Sequence, residues 1–160
     1  PIICPIINKI SEISNRSYND EDGVAHRVLS DHLRMLSFSI ADGAIPSNEG
    51  RGYVVRRVLR RASRFCRTLG MKNEFLYTLV DLVANIMKDS YIEITEKKSH
   101  IKNVIKAEEE SFLRTLDSGL TLFTTILEDL KRFKLELSQI KRTNLMMSLQ
   151  LQRHKLPQRV

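Results

Sequence analysis

The sequence predicts an all-α protein. Apolar residues recur at three- and four-residue intervals along most of the chain, while alternation at period two is nowhere sustained. No Asn-Gly or Asp-Gly pair joins two strand-like runs. The expected architecture is a helical bundle of about five helices, the last of them long.

Pro5 to Ser14 places Ile6, Ile7, Ile10 and Ile13 on one face, a short amphipathic opening helix. The polar run NRSYNDEDG reads as a loop. From Val24 to about Ala41, Val28, Leu29, Leu33, Leu36 and Ile40 mark a second helix, and Gly43 is placed to end it. In the connector GAIPSNEG, Pro46 disfavours helix at Ile45. Ser47 and Asn48 both suit an N-cap, and Glu49 suits the positive first turn of a third helix that runs to about Leu69 and closes on Gly70. A fourth helix is expected over Asn73–Lys88. A fifth begins near Ile92 and continues past Leu130, with Ile101, Ile105, Phe112, Leu116, Phe123 and Leu130 as its seam.

Composition narrows the function classes. No apolar run is long enough to cross a bilayer, and PIICPIINKI has neither the basic flank nor the cleavage site of a signal peptide. The missing initiating Met suggests a processed or excised chain. Cys4 and Cys66 fall in different elements and make no disulfide framework, so a reducing, cytoplasmic compartment is the default. His26, His32, His100 and His154 have no i, i+4 pair, which leaves a metal site without support. No glycine-rich phosphate cradle is present, and nothing marks a nucleophile; Asp31–His32 reads as a surface pair and Glu108–Glu110 as a solvated helical face. No catalytic residue and no cofactor is therefore assigned to this chain.

Charge is unevenly spread. Residues 1–130 hold 18 Lys/Arg and 18 Asp/Glu, whereas residues 131–160 hold eight basic residues and only Glu136, so the tail carries the whole net charge of +7. The chain accordingly divides into a body, 1–130, and a basic tail, 131–160, to which no role is assigned. The tail reads either as a frayed continuation of the long helix or as an unstructured end, with no stop signal before Pro157.

The third helix is the exception within the neutral body. Seven arginines and no acid lie between Arg51 and Arg67. At 100° per residue, Arg56, Arg57, Arg60, Arg61, Arg64 and Arg67 fall within an arc of about 140°, shared with Tyr53. Val54, Val55, Val58, Leu59, Ala62, Phe65, Cys66 and Leu69 fill the opposite face, and Arg51 stands apart at the helix start. Like charges at i, i+3 and i, i+4 repel, so such a face needs a reason. Arginine's planar fork pairs with phosphate and stacks on bases, which points to nucleic acid. An internal salt-bridge face, neutralised by acids such as Glu108–Glu110, is the competing reading. A membrane surface would call for more aromatics than Tyr53 and Phe65.

Those residues carry a resemblance. SDHLRMLSFSIADGAIPSNEGRGYVVRRVLRRASR (30–64) resembles the signature of alanyl-tRNA synthetases, in which P-S-N-x-x-R-G-Y-V-x-R-R-x-x-R-R-A follows an aspartate–histidine helix. LGMKNEFLYTLVDLVANIMKDSY, IKNVIKAEEESFLRTLDSGLTLF and PIINKISEI look like neighbouring segments of that family, so the resemblance covers about residues 1–130. It implies a region that docks the acceptor stem of alanine tRNA, with Asn48 contacting a G·U wobble pair from the minor groove. Arg51, Tyr53, Arg56, Arg57, Arg60, Arg61 and Arg64 would contribute to tRNA binding. In the family, ATP with Mg2+ serves a catalytic domain and zinc an editing domain, and these remaining domains would be partners of this segment. The class II ATP-binding motifs, and the G-x-x-A-F-x-L-Y-D-T-Y-G-F-P stretch expected after residue 130, do not occur in the sequence. The resemblance thus implies a fragment that does not aminoacylate alone. Two other readings stay open: a stand-alone basic helical module that binds RNA or acidic partners by charge, and a truncated product without function.

Overall fold

The computed structural model describes residues 3–19 and 23–154, with the backbone alone for residues 148 and 150–154. The middle of the first loop, residues 20–22, and the end of the tail with Pro157 lie outside the described residues. Six α-helices and a short 3-10 turn make up the described chain, with no strand among the described residues. The all-α expectation holds. Two compact units result, Pro1–Thr115 and Leu116–Val160.

The first unit contains the core. Helix α1, Cys4–Ser14, starts with proline in its first turn, where no amide hydrogen is needed, and ends on Asn15 in the left-handed region. It buries Ile6, Ile7 and Ile10, but Ile13 is left 44 % exposed. Helix α2, Gly23–Ala41, runs through the centre with Leu29, Leu33, Leu36 and Ile40 fully buried. Two serines on its buried face return their hydroxyls to their own helix: Ser30 donates to the His26 carbonyl at 2.8 Å and Ser37 to that of Leu33 at 2.9 Å. Gly43 and Gly70 take φ of 83° and 92°, the left-handed turn that closes α2 and the next helix where the sequence places their ends. Lys97 reaches the last carbonyl of α2, Ala41, at 2.7 Å, adding a cation at the negative helix end.

Helix α3, Gly50–Thr68, packs most of its apolar face on α2, burying Val55, Leu59, Ala62 and Cys66. Val54, expected on that face, is instead 50 % exposed, and Ser63 takes a fully buried place beside Ala62. Burial pushes the Cys66 thiol well above its ordinary range, with the nearby Glu109 adding to the effect, so the thiol stays protonated and inert.

The fourth and fifth expected helices are broken up. The segment expected as one helix over 73–88 becomes a 3-10 turn, Leu76–Leu79, that runs into α4, Val80–Met87. A short α5, Ile92–Glu96, stops at Lys97 before α6, Lys98–His154, begins. Ile101 and Ile105 of α6 are fully buried in the first unit, Leu113 is buried, and Phe112 is half-buried. Lys98 and Lys102 of α6 meet Asp81 of α4 at 3.3 Å and 2.7 Å, and the Lys102 hydrogen bond holds that carboxyl below its usual range.

Glu108–Glu110 is not a solvated acidic face. Glu109 is 1 % exposed, and its carboxylate accepts from the backbone N–H groups of Phe75 and Leu76, both at 3.1 Å. These are free amides at the start of the 3-10 turn, so a side chain from α6 caps that turn from a distance.

The second unit is different in kind. Among its described side chains only Leu116 and Leu127 are even half-buried. Phe123 and Leu130, expected on one seam with Ile101 and Ile105, are 61 % and 62 % exposed. No helix of the described residues is long and apolar enough to cross a membrane.

Burial raises the Glu109 carboxyl from its ordinary 4.5 to about 7, against the pull of the Phe75 and Leu76 amides. The folded protein therefore keeps this proton over a pH window in which the unfolded chain has lost it. The associated stability is fully present below pH 4.5 and is lost as the pH rises through about 7. Urea denaturation across that window should show a decline on the order of 3 kcal/mol attributable to this group. Glu109→Gln, which keeps an acceptor for both amides, should flatten the profile. An unchanged slope in the variant would assign the pH dependence elsewhere.

Candidate nucleic-acid interface

The connector before α3 is folded back onto the helix. The Ser47 N–H donates to the Gly52 carbonyl at 3.1 Å, and the Ser47 hydroxyl donates to the Glu49 carbonyl at 2.8 Å. A Cβ at Gly52 would fall on the Ser47 hydroxyl and on the Ile45 carbonyl oxygen. Only a residue without a side chain lets the connector lie this close to the first turn of α3.

Asn48 is then held at the helix mouth by a cation. Neither Ser47 nor Asn48 is the N-cap; Glu49 takes that place, without a side-chain cap bond. Arg56, two turns along, donates one guanidinium nitrogen to Asn48 Oδ1 and another to the Pro46 carbonyl at 3.5 Å. The carboxamide of Asn48 is exposed, and its oxygen keeps a second lone pair.

The arginine face opens from this point as a groove. Asn48, Tyr53, Arg56, Arg57, Arg60, Arg61 and Arg64 line it together with Phe112 of α6. Arg51, also expected at the site, is exposed but is not part of the groove lining. The sequence places Phe112 on the seam of the long helix. In the structure its ring lies 5.4 Å from the Arg60 guanidinium, a cation–π contact that fixes one wall. Arg61 stands 6.0 Å over the Phe65 ring.

Part of the charge is met within the fold. Glu108 Oε1 lies 3.1 Å from Arg56 Nε and 3.0 Å from Arg60 Nε, and its side chain is only 11 % exposed. One acid therefore serves two arginines, as the salt-bridge reading anticipates for this pair. Arg57, Arg61 and Arg64 remain exposed along the groove. His32 of α2 is half-buried, and burial, with the Arg61 charge second, holds it below its ordinary value against the pull of Asp31. It stays neutral at pH 7 and adds no cation to the face. Asp31 itself pairs with Arg34 at 3.7 Å.

Among the described residues, no three His, Cys, Asp or Glu side chains come together as a metal-ligating group. What the groove offers is a row of guanidinium forks, an aromatic wall and one carboxamide at its mouth.

Fold and groove together define an all-helical module with a guanidinium-lined, carboxamide-tipped face. The chain belongs to the family of class II tRNA synthetases (A), whose model matches residues 1–147. It is 48% identical over 132 residues to the alanine–tRNA ligases of Staphylococcus aureus strains JH9, Newman and JH1. The alignment covers 81% of this chain but 15% of each relative, so the chain spans only a small part of the length of those ligases.

Gly52→Ala should force the connector off the helix and lower the stability of the first unit by about 1–3 kcal/mol. Urea titration followed by circular dichroism measures this. A loss under about 0.5 kcal/mol would show that the Ile45–Ser47 segment retreats without cost.

Proposed function

We propose that the first unit is the part of an alanine–tRNA ligase that holds the acceptor stem of its tRNA, with Asn48 facing the minor groove and the arginines facing the phosphates. One observation carries the reading: Arg56 holds Asn48 at the mouth of the arginine groove, so that one carboxamide stands beside a row of guanidinium groups. An A-form minor groove is wide and shallow and exposes base edges and 2′-hydroxyls. A wobble pair leaves the guanine amino group free there. With one lone pair of its oxygen on Arg56, the Asn48 carboxamide accepts from that amine with the other.

The arginines then do a different task. Arg57, Arg61 and Arg64, exposed along the helix at i, i+4 and i+7, run parallel to a strand of phosphates and set the register. Tyr53 and Phe112 supply flat surfaces beside them. Transfer of alanine with ATP belongs, on this reading, to parts of the ligase outside these 160 residues.

A second reading, binding of any polyanion by charge alone, rests on the same arginine row and differs in what it demands of Asn48. Fluorescence titration of the chain with acceptor-stem hairpins carrying G·U or G·C separates the two. Asn48→Ala should cut the preference for G·U by roughly three- to tenfold, with a smaller effect on G·C. Equal binding of both hairpins by the unaltered chain would leave only the charge reading.

Glu108→Gln makes an independent prediction. Freed from their acid, Arg56 and Arg60 become available to phosphate, so both hairpins should bind several-fold more tightly. The dependence of log K on log salt should steepen by about one. If the variant instead binds more weakly, Glu108 is needed to position the two arginines, and neutralising them is not its main effect.

A further inference from the structure

The second unit presents an apolar stripe with a strict heptad period. Phe123, Leu130 and Leu137 recur every seven residues, and Ile126, Phe133 and Ile140 follow each by three, the a and d positions of a coiled coil. All six side chains are exposed, Leu137 the least at 42 %. The next heptad continues the pattern with Asn144 at a and Met147 at d. The outward b, c and f positions from Thr121 to Arg142 are polar with the single exception of Leu135. Lone amphipathic helices are marginal in water, and this one leaves two phenylalanines and four aliphatic residues without cover.

The flanking charges identify what covers it. Asp129 and Glu136 occupy g positions; Lys134 and Lys141 occupy the e positions five residues further on. In two parallel, in-register copies, g of one helix meets the e that follows on the other, which sets Asp129 against Lys134 and Glu136 against Lys141 on both sides of the seam. An antiparallel pair would instead set g against g and e against e, acid on acid and lysine on lysine. Asn144 acts in the same direction, because its carboxamide meets an identical partner at the same a layer only when the helices are parallel and unshifted. Asp129 also lies 3.7 Å from Arg132 on its own helix, an exposed pair of little energy that does not compete strongly.

We infer that Phe123–Met147 is the seam of a parallel coiled coil formed with a second copy of this chain. The seam is independent of the arginine groove and of the tRNA reading. Leu at a with Ile at d leans towards more than two strands, so the assembly holds two copies or a small parallel bundle of them.

Sedimentation equilibrium of the full chain at about 10–100 µM tests it. The expected result is a concentration-dependent mass above that of the monomer. Leu130→Lys, at a, should return the chain to monomer, whereas Leu135→Lys, at f, should not. Glu136→Lys should raise the dissociation constant roughly three- to tenfold, and adding Lys141→Glu should restore it to within about twofold. A monomer throughout the range overturns the inference. So does a tightening on Glu136→Lys, which is the antiparallel outcome, or an assembly indifferent to Leu130→Lys. Circular dichroism melts of each variant check that the first unit stays folded.

Discussion

The burial of one carboxylate sets the rotation of a whole helix. With Glu109 inside, accepting from the Phe75 and Leu76 amides, α6 turns to the core the same face that buries Ile101, Ile105 and Leu113. Neighbouring residues on a helix point 100° apart, so fixing Glu109 inward delivers Glu108 to one side and Glu110 to solvent. That side is the arginine groove, where Glu108 meets Arg56 and Arg60, and Phe112 one turn later closes the wall. A charged group near the core costs stability unless its partners are good. Here two backbone donors recover part of that cost but not all of it, so the carboxyl keeps its proton up to about pH 7. The groove's shape therefore depends on a residue that does not line it.

The arginine face shows how a fold tolerates concentrated like charge. Glu108 neutralises the pair nearest the helix mouth, and the aromatic rings of Phe112 and Phe65 take up Arg60 and Arg61. His32 is kept uncharged by burial and by Arg61 itself. The remaining repulsion is left in solvent, where screening reduces it. Self-repulsion and availability to an outside anion are thus two aspects of the same exposure. The internal pair and the exposed row share one helix: Glu108 meets Arg56 and Arg60, while Arg57, Arg61 and Arg64 stay exposed.

What was legible in the sequence was local. The buried faces of α1 and α2 follow from Ile6, Ile7 and Ile10 and from Leu29, Leu33, Leu36 and Ile40, because a 3.6-residue period is written in neighbouring residues. Gly43 and Gly70 end their helices for an equally local reason, the left-handed turn. The clustering of the arginines with Tyr53 was legible from the helical arc, whereas Asn48 joined them only through the resemblance to alanyl-tRNA synthetases. Long-range contacts were not. Nothing near Asn73 announces that an acid some 35 residues away caps the turn at Leu76. Asn48 reads as an N-cap until Arg56 is seen to hold it, and Phe112 reads as seam until α6 is placed on the groove. The break at Lys97 was equally hidden, since the lysine's reason for being there is the carbonyl of Ala41.

The close approach of the connector to Gly52 bears on the cost of recognition. A reading loop that is loose before binding must be ordered by its partner, and that ordering weakens affinity. Ser47 hydrogen-bonds to the very residue it crowds, and Arg56 holds the Asn48 that follows, so lifting the connector breaks contacts at both residues. A partner docking in the groove meets Asn48 already held by Arg56 beside a connector bonded to Gly52, an arrangement that lowers the ordering cost of binding.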